Sequence, residues 1–563
     1  MNRNYAWPGK ACLLLLAQFC SPSLAAAPSF LVSDAADIDA REQTRRQERE
    51  RALQQQNSTG SDVRLERPAA ALPDYAAAEH PCFPINRVRL TGDEGRFQWA
   101  LKAAESARGR CLGGQGITLV LNKVQNAILQ QGYVTTRIMA QEQDLTSGVL
   151  TLTLQPGRID RIFFDKPVSK RARLWNALPA SSGDILNLRD IEQALENFRR
   201  VPGVEAEIKI EPGRQEATSD LRIAWRERRP VHLTFGLDDS GAKSTGKYQG
   251  SLTLAIDAPL ARNDLFYASL GKDMFEQGSP ASRSHTFNYN IPMGYWLFSA
   301  NYNDYSYQQN IANANETLRY SGQSENAQFT LSRLLFRNQS HKTTLNLRIW
   351  RRHSTNAVND IDIDLQRRRT AGWELGLSQR SYLGQSTLDG SVNWRKGTGA
   401  FGALRAPEEA RHEGSARAGL ITGELSLNQP LPAFNWRYYT SLRGQWSHQP
   451  LTPLDRLAIG GRYTVRGFDG EQALSGEKGL IWRNELAWNL RGQELYWGVD
   501  YGRIGGRGTR YLAGKQLAGS AVGLRGSFGG HVSYDLFAGL PLYQPGGFHT
   551  SGVTGGFSLN LQI

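Results

Sequence analysis

The sequence predicts a two-part molecule: small α+β domains in the N-terminal half, followed by a large all-β barrel. Three observations carry that prediction. Residues 82–228 run twice through the same order of strands and helices. From about residue 229 the helical period disappears, and apolar and polar residues alternate with period two between Gly, Asn, Asp and Ser turns. No run of 18 apolar residues occurs anywhere in the 563, which excludes a helical membrane protein but not a transmembrane barrel, whose hydropathy signal is far weaker. With 40% hydrophobic and 10% aromatic residues, the chain also has too much apolar material for general disorder.

The N-terminus reads as a secretory signal peptide over 1–26: Arg3 and Lys10 precede a short apolar core from Ala11 to Phe19, and Ser23 to Ala27 offer small-residue cleavage sites. Its removal takes Cys12 and Cys20 with it, leaving Cys82 and Cys111 in an oxidising compartment. A disulfide between them closes a loop of about 30 residues and contributes about 3 kcal/mol. No His or further Cys stands at ligand spacing around the pair, so no metal is expected. Residues 35–57 form a dense Arg/Glu/Gln run with acidic residues in front, a good helix former without an apolar stripe, so its surroundings must be solvent or a polar cavity. Gly60, Pro68, Pro73 and Pro81 mark 58–81 as a linker.

The first repeat unit, 82–156, is expected to run strand 85–90, helices near 97–106 and 119–131, and strands 134–139 and 148–155. The second, 157–228, has strand 159–164, a helix at 188–200, and strands 204–210 and 220–225. Val124 and Ile128, and later Ile191, Leu195 and Phe198, supply the helical stripes. Each unit is a β-α-α-β-β domain of about 75 residues. The barrel follows at 229–563. Leu480, Trp482, Leu486, Trp488 and Leu490 share one parity, while Arg483, Glu485, Asn489 and Arg491 share the other; Asn484 and Ala487 break the pattern. After the turn at Gly492, Leu495, Trp497, Val499 and Tyr501 return to one face, opposite Tyr496, Gly498, Asp500 and Gly502. Aromatics at strand ends fit an outer-membrane barrel whose apolar face meets lipid. About 16 strands, at about 21 residues per strand and loop, account for the length, and 14 or 18 also fit.

Three segments resemble one family. Leu237-Asp238-Asp239-Ser240-Gly241, continuing through Ser244-Thr245-Gly246-Lys247-Tyr248, is similar to the first barrel hairpin of two-partner secretion transporters. Tyr289 to Trp296, reading YNIPMGYW, is similar to a strand pattern in the same proteins. Val465-Arg466-Gly467-Phe468 resembles the VRG(F/Y) motif of the family's sixth extracellular loop, and Gly498-Val499-Asp500 its (F/G)-x-D partner on a later strand. The resemblance covers nearly the whole mature chain. It implies two POTRA domains in the periplasm, a C-terminal barrel in the bacterial outer membrane, a plug role for 35–57, and a large secreted exoprotein as partner. It also implies contact between Arg466 and Asp500, which the residues allow independently: a Gly-rich loop folded inward can present a guanidinium fork to a luminal carboxylate.

Other function classes lack residues to carry them. G-x-S-x-G, HExxH and G-x-x-x-x-G-K-[ST] are all missing, so neither enzyme chemistry nor nucleotide use is expected, and no cofactor is implied. Gly505 to Gly508 reads as loop glycine. The net charge of +13 is interleaved with acid and comes without a stacking platform, which argues against nucleic acid. The alternative kept open is a factor that inserts other barrels, against which two POTRA units and a polar helix both count.

Overall fold

The structure, a computed structural model, describes residues 62–65, 72–75, 79–92, 95–169, 171–274, 281–312 and 316–563. The signal peptide, the polar helix 35–57 and most of the linker lie outside the described residues.

In the first unit Val149–Gln155 is the central strand, parallel to Arg87–Thr91 and antiparallel to Arg137–Met139. Leu150, Leu152 and Leu154 alternate inward onto Val120, Val124 and Ile128 of the helix Gly114–Gln130. That helix starts five residues before the expected Leu119, because its first turn is Gly and Gln and carries no apolar signal. The preceding helix, Gln98–Ala107, winds as a 3₁₀ helix. The strand expected over 134–139 is cut to Arg137–Met139. Here the Gln125 amide takes the backbone of Thr136 (2.9 Å) and Ile138 (2.9 Å), replacing ladder bonds. Cys82 and Cys111 are joined by a disulfide that fastens the paired strands Phe83–Ile85 and Arg110–Leu112.

The second unit places Thr218–Glu227 between Arg158–Phe164 and Val204–Pro212. It has one helix, Leu188–Arg199, capped by the Asn187 side chain accepting from Arg189 N at 2.8 Å. Where the repeat predicts a first helix, 165–169 and 171–187 run through turns instead. That departure has a use, since it carries Asn176 to the barrel, where its amide donates to Pro292 O (3.1 Å).

The barrel is closed and antiparallel, with sixteen through-going strands among the described residues; Val231–Asp238 pairs with Thr554–Gln562 to complete it. Tight turns at one rim use glycine where the chain must turn left-handed: Arg491-Gly492 has φ of 52° and 85°, as a two-residue hairpin requires. The faces follow the alternation. Leu495 and Trp497 are 43% and 56% exposed on the outer face, whereas Asp500 is 0% exposed inside. Of the two pattern-breakers, Ala487 is a small residue on the inward face. Asn484 faces outward with its polarity satisfied, accepting from Tyr438 Oη (2.9 Å) and Thr440 Oγ1 (2.9 Å).

Helix Leu188–Arg199 joins the two parts. Its apolar face covers its own sheet through Ile191, Leu195 and Phe198. Its polar face is buried as well, against the barrel. Arg337 donates to Glu192 (2.9 Å) and Glu196 (2.8 Å), Lys342 to Glu196 (2.6 Å), and Asn197 to Gly294 O (2.9 Å). Residues 62–65, inside the stretch read as linker, are clamped into the same junction. Val63 N and Leu65 N donate to Glu196 (3.2 Å) and Glu192 (2.8 Å), and the Val63 side chain enters the second unit's core.

Candidate functional site: a loop pinned across the lumen

The site begins with the length of one connection. Between the barrel strands Trp436–Trp446 and Lys478–Leu490 the chain spends 447–477, far more than a turn requires, and folds that stretch inward. The loop has its own small core. The short strands Leu457–Ile459 and Leu474–Gly476 pair, and Leu457, Ile459, Val465, Phe468 and Leu474 cluster with Ile481, Ile504 and Leu517 of the wall and with Phe548 of the loop before the last strand. Phe468 meets Phe548 edge-on, with ring centroids 5.7 Å apart. An apolar seat of this kind fixes the backbone on either side of Arg466.

Arg466 is 5% exposed and all three of its guanidinium nitrogens are engaged. Nε donates to Asp500 Oδ2 (2.7 Å) and Nη2 to Asp500 Oδ1 (2.8 Å), a bidentate fork reinforced by Arg466 N on Oδ2 (3.0 Å). Nη1 donates to Glu485 Oε2 (2.8 Å), and Nη2 also to Asn484 O (3.1 Å). Two glycines of the predicted motif are explained by space. A Cβ on Gly498 would stand 2.2 Å from Arg466 Nη2, so only glycine lets the guanidinium lie flat on that strand. Gly467 has φ of 99°, and a Cβ there would stand 2.3 Å from Leu540 O. Thus Val465, Arg466, Gly467, Phe468, Gly498 and Asp500 all come together at one wall of the lumen.

Sequence reasoning did not find the rest of the network. Glu485 also accepts from Arg525, which bridges on to Glu494 (2.7 Å), which Arg437 in turn grips at 2.6 Å. Tyr496 donates to Asp535 (2.8 Å) beneath this ladder. The available signal was parity: Glu485, Tyr496 and Arg525 all sit on inward positions of their strands. A second anchor holds the loop on a different stretch of wall, where Asp455 pairs with Arg395 (3.2 Å) and Arg352 (3.6 Å). A third ties it to the barrel closure. Arg462 pairs with Asp239 (3.0 Å) of the first hairpin, and Asp239 accepts from Phe557 N (2.8 Å) of the last strand. The loop is therefore a strut across the lumen, fixed by charge at three places and by apolar contact at one.

YNIPMGYW, the second segment singled out, lies at the opposite rim. Pro292 O and Gly294 O receive the second unit's Asn176 and Asn197, and Tyr295 hydrogen-bonds Asp190 of its helix. Nothing in the sequence alone marks this turn as a docking surface, because its acceptors are backbone.

Residues 217–526 match the family described as haemolysin secretion/activation protein ShlB/FhaC/HecB. Residues 83–157 match a ShlB-type POTRA domain, and 158–212 match a POTRA domain. The chain is 36% identical over 551 residues to the outer membrane transporter CdiB-2 of Burkholderia pseudomallei, covering 93% of this chain and 94% of that one. Among solved structures, CdiB from Escherichia coli superposes with a TM-score of 0.84 at 27% identity, covering 93% of this chain and 99% of that one. CdiB from Acinetobacter baumannii superposes at 0.81 with 31% identity, covering 94% and 99%.

Proposed function

The chain belongs to the haemolysin secretion/activation family of two-partner secretion transporters, and from that premise we propose that it exports one large exoprotein through the lumen that its long loop spans. The barrel stands in the outer membrane, with its POTRA domains in the periplasm. The observation that carries the reading is the loop 447–477. It crosses the lumen, and beside its apolar seat it is held to the wall by a few ion pairs that can be exchanged without unfolding the barrel.

The steps follow from the layout. Among the described residues the outer strands of the POTRA sheets, Arg137–Met139 and Val204–Pro212 for example, each pair on one side, and on such an edge an extended client segment adds by backbone hydrogen bonds. The polar run 35–57 acts as the plug and leaves the lumen, and the client threads outward unfolded. Folding outside supplies direction, since no nucleotide-binding loop is encoded. The test is a client carrying an engineered internal disulfide. Export should stall under oxidising conditions and resume on reduction; normal export of the oxidised client would sink threading. Export that persists in cells lacking this chain, with other barrels failing to assemble, would instead favour an insertion factor.

A further inference from the structure

We infer that the outer surface of the barrel carries a binding site for a phosphorylated, multiply acylated glycolipid of the outer leaflet, formed by a groove with cations at its extracellular rim. The inference rests on the outer-membrane placement of the barrel and is independent of what the lumen transports.

The strand register defines the site. On the lipid-facing side, Phe287, Tyr302, Ala327 and Arg351 are direct neighbours across four successive strands. One step closer to the periplasm, Tyr289, Ala300, Phe329 and Ile349 form the parallel row. Between them lies a groove of about 470 Å³, lined almost wholly by apolar atoms, to which Phe266 contributes from one side. Phe401, from an extracellular loop and 64% exposed, reaches down to line it as well. Such a lining suits acyl chains and has nothing to offer a compact polar ligand.

The rim is cationic. Arg351 faces outward at the end of the groove, opposite Ala371, while Arg369 lies one row further out, opposite His353. Lys396 stands opposite Trp373 on the next strand pair. Arg351, Arg369 and Lys396 make no ion pair among the described residues. The outward-facing acids on these strands, among the described residues, are Asp304, occupied by His285 at 2.8 Å, and Glu325, opposite His353; Asp362 and Asp364 of the adjoining loop pair with Arg367. His353 Nε2 is shielded from solvent with no hydrogen-bond partner among the described residues, which leaves an unused polar atom within the cluster. Three unpaired cations around one apolar groove match a ligand that joins fatty chains to phosphate, because guanidinium binds phosphate through forked, charge-assisted bonds. The groove takes only part of such a lipid's chains, the rest staying in the bilayer, so the cations select the occupant: a plain phospholipid presents one phosphate, whereas a glycolipid with more than one phosphate can meet all three cations.

The test is native mass spectrometry of the full chain released from micelles, titrated with a bis-phosphorylated, hexa-acylated glycolipid and with the same lipid after dephosphorylation. We expect a bound adduct with the first and little with the second. The triple variant Arg351→Gln/Arg369→Gln/Lys396→Gln should bind about a hundredfold more weakly, at about fivefold per surface cation. Arg503→Gln, an outward cation on a distant strand, should bind as the wild type does. If the triple variant loses the mobility shift of a folded barrel on unheated gels, Arg351→Gln and Phe401→Ala are read instead, each with about a fivefold loss. Equal binding of the dephosphorylated lipid, wild-type binding by these variants, or an equal loss in Arg503→Gln overturns the site.

Discussion

Arg466 shows how a single side chain can set the position of a loop. Its guanidinium is out of water, and so is Asp500, so removing either partner leaves the other buried with incomplete compensation, at a cost of about 3–5 kcal/mol. Arg483, 3.7 Å from Asp500, recovers only part of that in Arg466→Ala. Gly498→Ala tests the same contact without altering any charge. The new methyl would lie 2.2 Å from Nη2, so the fork must leave Asp500. We predict that Gly498→Ala loosens the loop as Arg466→Ala does, and that combining the two adds little, because they break one contact. Limited proteolysis of 447–477 in folded barrels reads this; full additivity of the two would contradict it. The pairing partner was legible through the family resemblance of the two motifs, while parity put Asp500 on the inward face. Glu485, Arg525 and Glu494 have inward parity too, but parity gives a face and not a partner, and dozens of inward polar residues share it.

Among the elements, helix Leu188–Arg199 is the most constrained. From sequence it is amphipathic, with a polar face that reads as solvated; the structure buries both faces, because Arg337 and Lys342 arrive from a barrel turn more than a hundred residues away. No local pattern announces that. The strand Thr218–Glu227 and the helix itself were legible because each has a single apolar period, whereas Gly114 to Thr118 and the cut strand at 134–136 were not, since side-chain amides and glycine carry no periodicity. Burial in the junction pushes the Asp190 carboxyl up to about 6, with the Tyr295 hydrogen bond pulling against it and the charge of Asp184 adding to it. A carboxyl raised in the folded state is bound to its proton more often there than in the unfolded chain. Its stabilising contribution is therefore complete below about pH 4 and lost as pH rises through about 6. Thermal unfolding of the POTRA–barrel junction between pH 4 and 7 should show that slope, and Asp190→Asn should flatten it while stabilising the neutral-pH protein by about 2–3 kcal/mol. A slope unchanged in Asp190→Asn would assign it to another group.

At the scale of the whole molecule, the chain divides into parts that are stabilised differently. The first POTRA domain is small and held by one disulfide across the strands Phe83–Ile85 and Arg110–Leu112; reduction should lower its stability by about 3 kcal/mol and leave the barrel intact. Protease protection of 82–156 against that of the barrel distinguishes the two. Length arithmetic left the strand count open between 14 and 18, and only the ladder between Val231–Asp238 and Thr554–Gln562 decides it, since closure is a property of the ends and not of any strand. We propose that the loop 447–477, pinned through Arg466, keeps the lumen in the form through which a client passes. Export of the partner exoprotein into the medium by cells carrying Arg466→Ala, normalised to folded barrel in the membrane, tests it most directly. We expect a fall of at least about tenfold, the equivalent of 1.4 kcal/mol or more; export at the wild-type level from an equally abundant, folded Arg466→Ala barrel would rule this role out.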